Sequence, residues 1–204
     1  MTQLSRSSPF RDYRTRFLAG KFGVRVFLVL LGMLFAASLV GFAVVRWQLG
    51  QRSLWPADLP PLPSGLLLST LILIASSVTM QWALNGIRAG RGERLRSGLL
   101  LTMLLGIGFL LMQMRCWLVW LAPISQQWSQ ADEFRFALTS FYVLTGLHAL
   151  HVVGGIVPMA IVTRNAFRDA YSADFFPGVQ YTAMYWHFLG AVWIILYAAL
   201  WIGR

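Results

Sequence analysis

Three histidines are the residues of this chain whose type and spacing best suit metal or haem chemistry: His148, His151 and His187. His148 and His151 are three residues apart, which on a helix places both side chains on one face. Such a pair could hold a metal ion, or one histidine could ligate a haem iron. The alternative is that they hydrogen-bond to neighbouring helices and fix the packing. We expect the second role, with no metal and no cofactor bound by this chain, because a structural zinc site takes four ligands.

Other reaction chemistries find little support in the sequence. The single cysteine, Cys116, excludes a disulfide framework, an iron–sulfur cluster held by the chain's own thiolates and any CxxC motif. We expect a buried, unreactive thiol there, beside an Arg115 whose side chain extends to the lipid headgroups. The sequence contains no GxSxG, HExxH or phosphate-binding loop motif. No catalytic residue is therefore predicted.

The elements that position these residues are predicted from hydropathy. Of 204 residues, 57% are apolar and 12% are charged, whereas a soluble domain is about a quarter charged. A membrane-spanning helix needs about 20 mostly apolar residues. The sequence predicts an all-α transmembrane bundle at residues 24–204 behind a basic tail at residues 1–23. Five segments qualify as spans: residues 24–45, 65–84, 98–121, 136–162 and 181–202.

The net charge of +10 is unevenly distributed along the chain. With five spans, the N-terminal tail and the second and fourth loops lie on one side of the membrane. That side carries most of the basic residues, which is the positive-inside pattern. It predicts a cytoplasmic N-terminus and an outer C-terminus, with anionic lipids rather than nucleic acid as the partner. The residues concerned are Arg6, Arg11, Arg14, Arg16, Lys21, Arg25, Arg88, Arg91, Arg94, Arg96, Arg164 and Arg168.

The acidic residues are informative by their positions. None of the seven lies in the core of a predicted span. Proton pumps and ion-coupled transporters normally place a carboxylate at membrane depth. The sequence therefore disfavours these classes, although a small free-standing membrane transporter stays an alternative.

Three segments resemble signatures of a known family, subunit III of haem–copper respiratory oxidases. FYVLTGLHALHVVGG at residues 141–155 resembles the signature TGxHGLHVxxG, and YWHFLGAVW at residues 185–193 resembles YWHFVDVVW. A weaker match is ASSVTMQWA at residues 75–83, which is similar to ASSxTxxWA. The five predicted spans resemble the short bacterial form of this subunit, as in quinol oxidases.

The resemblance implies a non-catalytic accessory subunit in the bacterial inner membrane. Such a chain would stabilise the catalytic subunit I, bind structural phospholipids and assist oxygen access, with haem and copper in partner subunits. We further expect headgroup contacts for Arg88 and Arg115 and a packing network between the fourth and fifth helices. The network residues are His148, His151, Tyr185, Trp186, His187 and Trp193.

The chain also departs from the family pattern at three acidic positions. The stretch from Leu31 to Phe35 lacks the buried glutamate of the family's corresponding helix. Cys116 replaces the glutamate of QxxEW, and Gly190 replaces the aspartate of YWHFVD. These losses favour an alternative role as the accessory subunit of a nitric oxide reductase. The electron donor of an oxidase partner, quinol or cytochrome c, stays open.

Overall fold

Five α-helices make up the part of the chain that the computed structural model describes. That part comprises residues 13–52, 62–127 and 132–203, with side chains described for residues 17–52, 62–119 and 136–203. No strand occurs in these ranges, and every helix contains a stretch long and apolar enough to cross a membrane. The all-α, five-span prediction is therefore confirmed. The helices are α1 (Tyr13–Gln51), α2 (Ser64–Arg88), α3 (Gly92–Gln127), α4 (Asp132–Phe167) and α5 (Pro177–Gly203).

The helices are longer than the predicted spans. The first begins at Tyr13 rather than Val24, so residues 13–23 of the predicted tail are helical, and it continues to Gln51. The difference arises because hydropathy detects only the part of a helix that lies in hydrocarbon. Residues 1–12 and most of the proline-rich first loop, residues 53–61, lie outside the described part.

Helices α2 to α5 form a closed ring, and α1 lies outside it. Successive helices contact each other from α2 to α5, and α5 returns to contact α2. This is an up-and-down four-helix arrangement, which short connections favour. In the described residues α1 contacts only α4 and α5. Every helix of the ring therefore has two ring neighbours, whereas α1 packs on the outside of one edge.

The first helix is held at both ends and in the middle. The Tyr181 hydroxyl donates to the Phe17 carbonyl at 2.9 Å near one end. Phe42 contacts Gly203 near the other end. Between them, Phe35 is 2% exposed. Most other apolar side chains of α1 are exposed, as expected for a helix that faces lipid or another protein.

The contact between α2 and α3 is the most extensive in the bundle. A Cβ atom added to Gly98 would lie 2.7 Å from Cβ of Ala83, so the two backbones are in direct contact. Thr79 and Thr102 hydrogen-bond across the pair at 2.8 Å. The link between the helices turns at Gly90, whose φ of +69° is a conformation that glycine adopts without strain.

One end of the bundle, which we call the basic end, holds the α2–α3 and α4–α5 connections. Its basic side chains include Arg88, Arg91, Arg94, Arg164 and Arg168. There Arg96 of α3 donates to the Ala166 carbonyl at 3.1 Å and forms an ion pair with Asp169. These contacts join α3 to the end of α4. Five basic residues of the second and fourth loops and the helix ends beside them therefore lie at one end of the bundle.

Candidate functional site

Two tryptophans of α5 lie inside the ring of α2 to α5. Trp186 is 1% exposed and Trp193 is fully buried. Their indole N–H groups donate to hydroxyls of α2, Trp186 to Ser76 at 3.0 Å and Trp193 to Thr70 at 2.9 Å. Both hydroxyls in turn donate to carbonyls of α2 itself. The seven-residue spacing places both indoles on one helix face, and each polar atom of the unit is satisfied.

The ring has room for Trp186 because two neighbouring helices carry glycine beside it. A Cβ atom on Gly106 of α3 would lie 2.7 Å from the Trp186 ring. A Cβ atom on Gly155 of α4 would lie 2.7 Å from the Tyr185 ring and 3.4 Å from Trp186. The side chain of Trp186 therefore contacts α2, α3 and α4 together.

His148 is fully buried among aromatic rings. Its ring centroid lies 4.9 Å from Trp193, 5.8 Å from Phe109 and 6.1 Å from Phe35. Neither ring nitrogen has a hydrogen-bond partner among the described residues. The described residues thus offer His148 no hydrogen bond to a neighbouring helix, and that role stays a prediction. The contacts that the structure gives His148 are with aromatic rings.

His151 and Tyr185 join α4 to α5 through the backbone. The Nδ1 atom of His151 lies 2.7 Å from the Leu147 carbonyl of its own helix. The Tyr185 hydroxyl donates to the His151 carbonyl at 2.9 Å. The His151 ring also lies edge-on to Phe35 of α1, with centroids 5.2 Å apart. This pair therefore ties together α4, α5 and α1.

His187 does not join the other two histidines. It lines a groove between α2 and α5, together with Ser77 and Gln81. Among the described residues, no group of three or more histidine, cysteine or acidic side chains is placed to hold a metal ion. The pair His148 and His151 thus has no third ligand within that part of the chain.

The two predicted headgroup contacts lie at opposite ends of the bundle. Arg88 is exposed at the end of α2, on the basic end. Arg115 is exposed on α3 and lines a cavity of about 350 Å³ beside the start of α2. Cys116, in the same cavity wall, is 2% exposed and free. The expectation of a buried thiol is confirmed.

Several site residues were not predicted from sequence. Thr70 was not identified as an indole partner, and Phe35 and Phe109 were not identified as neighbours of His148. Gln113 of α3 is 1% exposed, and its side-chain amide has no partner in the described residues. The sequence did contain one signal for the partners of the indoles. Thr70 and Ser76 carry hydroxyls six residues apart on α2, which is close to the seven-residue spacing of the two tryptophans on α5.

Comparisons with known proteins agree in one family. A family model described as cytochrome c oxidase subunit III matches residues 13–203. The cytochrome c oxidase subunit 3 of Heterololigo bleekeri is 33% identical over 97% of this chain and 76% of its own length. That of Spodoptera frugiperda is 32% identical over 68% of this chain and 89% of its own length.

The extent of the match differs between relatives. The subunit 3 of Oryctolagus cuniculus is 29% identical over 76% of this chain and 54% of its own length. The chain thus spans about half the length of that relative. None of these similarities favours the nitric oxide reductase or transporter alternatives.

Proposed function

Because this chain belongs to the cytochrome c oxidase subunit III family, we propose that it is a non-catalytic accessory subunit that stabilises subunit I of a membrane haem–copper oxidase. The match over residues 13–203 carries the proposal. Haem and copper belong, on this proposal, to partner subunits. The chain itself contributes a rigid membrane-embedded surface against which the catalytic subunit packs.

The packing of the bundle interior supports this scaffold role. The indoles of Trp186 and Trp193 are hydrogen-bonded inside the ring. Glycines of α3 and α4 lie against Trp186 and the adjacent Tyr185. Well-packed side chains in single rotamers give a surface of fixed shape. When a partner docks on such a surface, few side chains of this chain have to become ordered, so this chain loses little conformational entropy.

Orientation and lipid contacts form a second part of the proposal. The basic end faces the cytoplasm of a bacterium, where anionic lipids attract arginine and lysine. Arg88 contacts headgroups on that side, and Arg115 contacts headgroups on the other. The exposed positions of both side chains support these contacts. The five spans, which resemble the short bacterial form, support a bacterial plasma membrane.

Oxygen access is the third part of the proposal. The exposed surface of the spans is rich in leucine, isoleucine, valine and phenylalanine. Oxygen is an apolar gas and partitions into such an environment. A subunit with this surface beside the catalytic subunit would give oxygen an apolar route towards that subunit.

A reduced-minus-oxidised visible spectrum tests the proposal. The chain would be tagged, purified in mild detergent and reduced with dithionite. Haem bands that accompany a large co-purifying subunit are expected. A flat spectrum from the isolated 23.0 kDa chain, in the gentlest detergents as well, would contradict the accessory role.

The histidine pair gives a specific prediction. Substituting His148→Leu and His151→Leu together is expected to weaken retention of the chain in the complex, because leucine cannot reproduce the ring contacts with Trp193 and Phe35. The haem spectrum of the remaining complex should not change. The measurement is the haem-to-chain ratio, together with the band positions. Val153→Leu, on the exposed side of α4, is the control, and shifted haem bands would place the histidines closer to the redox centres than proposed.

Carbodiimide chemistry gives a second prediction. These reagents modify carboxylates in hydrophobic surroundings, and residues 13–51 of α1 contain no aspartate or glutamate. We therefore expect no labelled peptide from this helix by mass spectrometry. A variant with Gly32→Glu would be the positive control, since it introduces the missing type of side chain. Labelling of α1 in the unmodified chain would refute the expectation.

A further inference from the structure

Two polar side chains inside the ring have no hydrogen-bond partner among the described residues. Gln113 of α3 is 1% exposed, and both polar atoms of its side-chain amide lack a partner there. His148 of α4 is fully buried, and the same holds for both of its ring nitrogens. Buried polar groups in proteins are almost always paired, either with other protein groups or with ordered water. Each of these two side chains therefore needs a partner.

Gln113 and His148 lie at the same level of the contact between α3 and α4. One turn before Gln113, the ring of Phe109 lies 5.8 Å from that of His148. One turn after Gln113, the indole N–H of Trp117 donates to the Thr145 hydroxyl at 3.0 Å. Because residues four apart on a helix share a face, Gln113 faces α4 between these two contacts. The two side chains thus face the same small region of the bundle interior.

The hydroxyl of Ser69 on α2 is a third polar group at this level. Gly65 of α2 lies against Cys116 of α3, and the two helices run in opposite directions. Ser69 is one turn along α2 from Gly65, and Gln113 is three residues back along α3 from Cys116, so the two lie level with each other. Ser69 is fully buried, and its hydroxyl donates to the Leu66 carbonyl at 2.8 Å. Its oxygen can still accept a hydrogen bond.

Water is the ligand that fits these three groups. A glutamine amide offers two donors and an acceptor, a neutral imidazole offers one of each, and a hydroxyl oxygen accepts. A buried water molecule typically makes about three hydrogen bonds to polar groups that have no other partner. A metal ion fits less well, because no group of three or more histidine, cysteine or acidic side chains is placed to hold one within the described part of the chain.

We infer that an ordered water molecule lies inside the ring and joins Gln113 to His148, with the Ser69 hydroxyl as a further acceptor. His148 is sixteen residues from the start of the 36-residue α4, so this water ties α3 to α4 near the middle of the membrane. It gives His148 a polar link to a neighbouring helix. The site belongs to the interior of this chain and does not depend on which subunit the chain binds.

Electron cryo-microscopy tests for the water directly. The chain is purified in mild detergent with the subunits that it retains, and the map is taken to a resolution that shows ordered water molecules. We expect a density peak at about 2.7–3.2 Å, the usual hydrogen-bond distance, from both the Gln113 amide and one His148 ring nitrogen. A direct bond between the two side chains would overturn the inference, as would a peak that reaches only one of them or neither.

Substitutions of similar shape test the same site through stability. Gln113→Met removes the amide, and His148→Phe keeps a ring but removes the nitrogens. Each change deprives the water and the remaining side chain of a partner, so each should lower the unfolding temperature by about 2 °C or more. Gln81→Met, at an exposed glutamine of α2, is the control and should change it by about 1 °C or less. A higher unfolding temperature for His148→Phe would mean that the nitrogens have no partner to lose, and would contradict the inference.

The double variant shows whether the two side chains share a partner. Combining Gln113→Met with His148→Phe should cost less than the sum of the two single changes, because no half-satisfied polar group is left behind. Additive losses would show that the two side chains are independent, which is incompatible with a bridging water. If the variants do not accumulate in the membrane, the density map of the unmodified chain decides the question alone.

Discussion

Substituting Gly98 by alanine is expected to destabilise the bundle by about 1–3 kcal/mol, the usual cost of overpacking. The new Cβ atom would lie 2.7 Å from Cβ and 2.9 Å from Cα of Ala83, so the α2 backbone must move. Such a shift would also disturb the hydrogen bond between Thr79 and Thr102. Thermal unfolding of the purified complex in detergent, followed by circular dichroism, measures the effect.

Gly41→Ala is the matched control for this prediction. Gly41 lies in α1, and a Cβ atom there would meet nothing within 4 Å. Because alanine favours helix over glycine by roughly 0.5–1 kcal/mol, this variant should be neutral or slightly more stable. Similar losses of stability in both variants would show that the close approach of α2 and α3 is not the cause.

Truncating Trp186 to alanine is expected to have the larger effect, about 3–5 kcal/mol for a buried tryptophan. The indole is 1% exposed and lies between α2 and the glycines of α3 and α4. Its loss would leave a cavity bordered by three helices and would remove the hydrogen bond to Ser76. We expect lower yield of intact complex and a lower unfolding temperature, measured in the same detergent.

Two further variants separate the packing effect from a general loss of aromatic surface. Trp201→Ala removes an exposed tryptophan of the same helix, 58% exposed, and should change stability by about 0.5 kcal/mol or less. Gly106→Ala should clash with Trp186, so its cost should fall when Trp186 is replaced by phenylalanine. Additive effects in that double-mutant cycle would contradict direct contact.

The number and type of the helices could be predicted from sequence, but their ends could not. An apolar stretch of about 20 residues indicates a segment long enough to cross the bilayer. Each of the five predicted spans falls within one helix. The helix ends depend on hydrogen bonding outside the hydrocarbon region, and hydropathy does not predict where a helix ends there. For this reason the predicted span begins at Val24, whereas the helix that contains it begins at Tyr13.

The candidate site was predictable in part for a related reason. The seven-residue spacing of Trp186 and Trp193 indicates one face of one helix, and the structure places both inside the ring. Which helix receives their N–H groups depends on the order of helices around the ring, which no pattern within a single helix determines. The partners Ser76 and Thr70 on α2 therefore emerged only from the fold, as did the lack of a hydrogen bond to the His148 ring among the described residues.

The place of α1 outside the ring bears on the order of biosynthesis. The ribosome releases α1 before α2 and α3, yet its neighbours α4 and α5 are made after those two helices. At about 5–20 residues per second, roughly ten seconds pass between the synthesis of α1 and that of α5. Only when α5 arrives do the indoles meet α2 and the Tyr181 hydroxyl meet α1. Insertion of α5 is thus the step that completes both the ring and the attachment of α1.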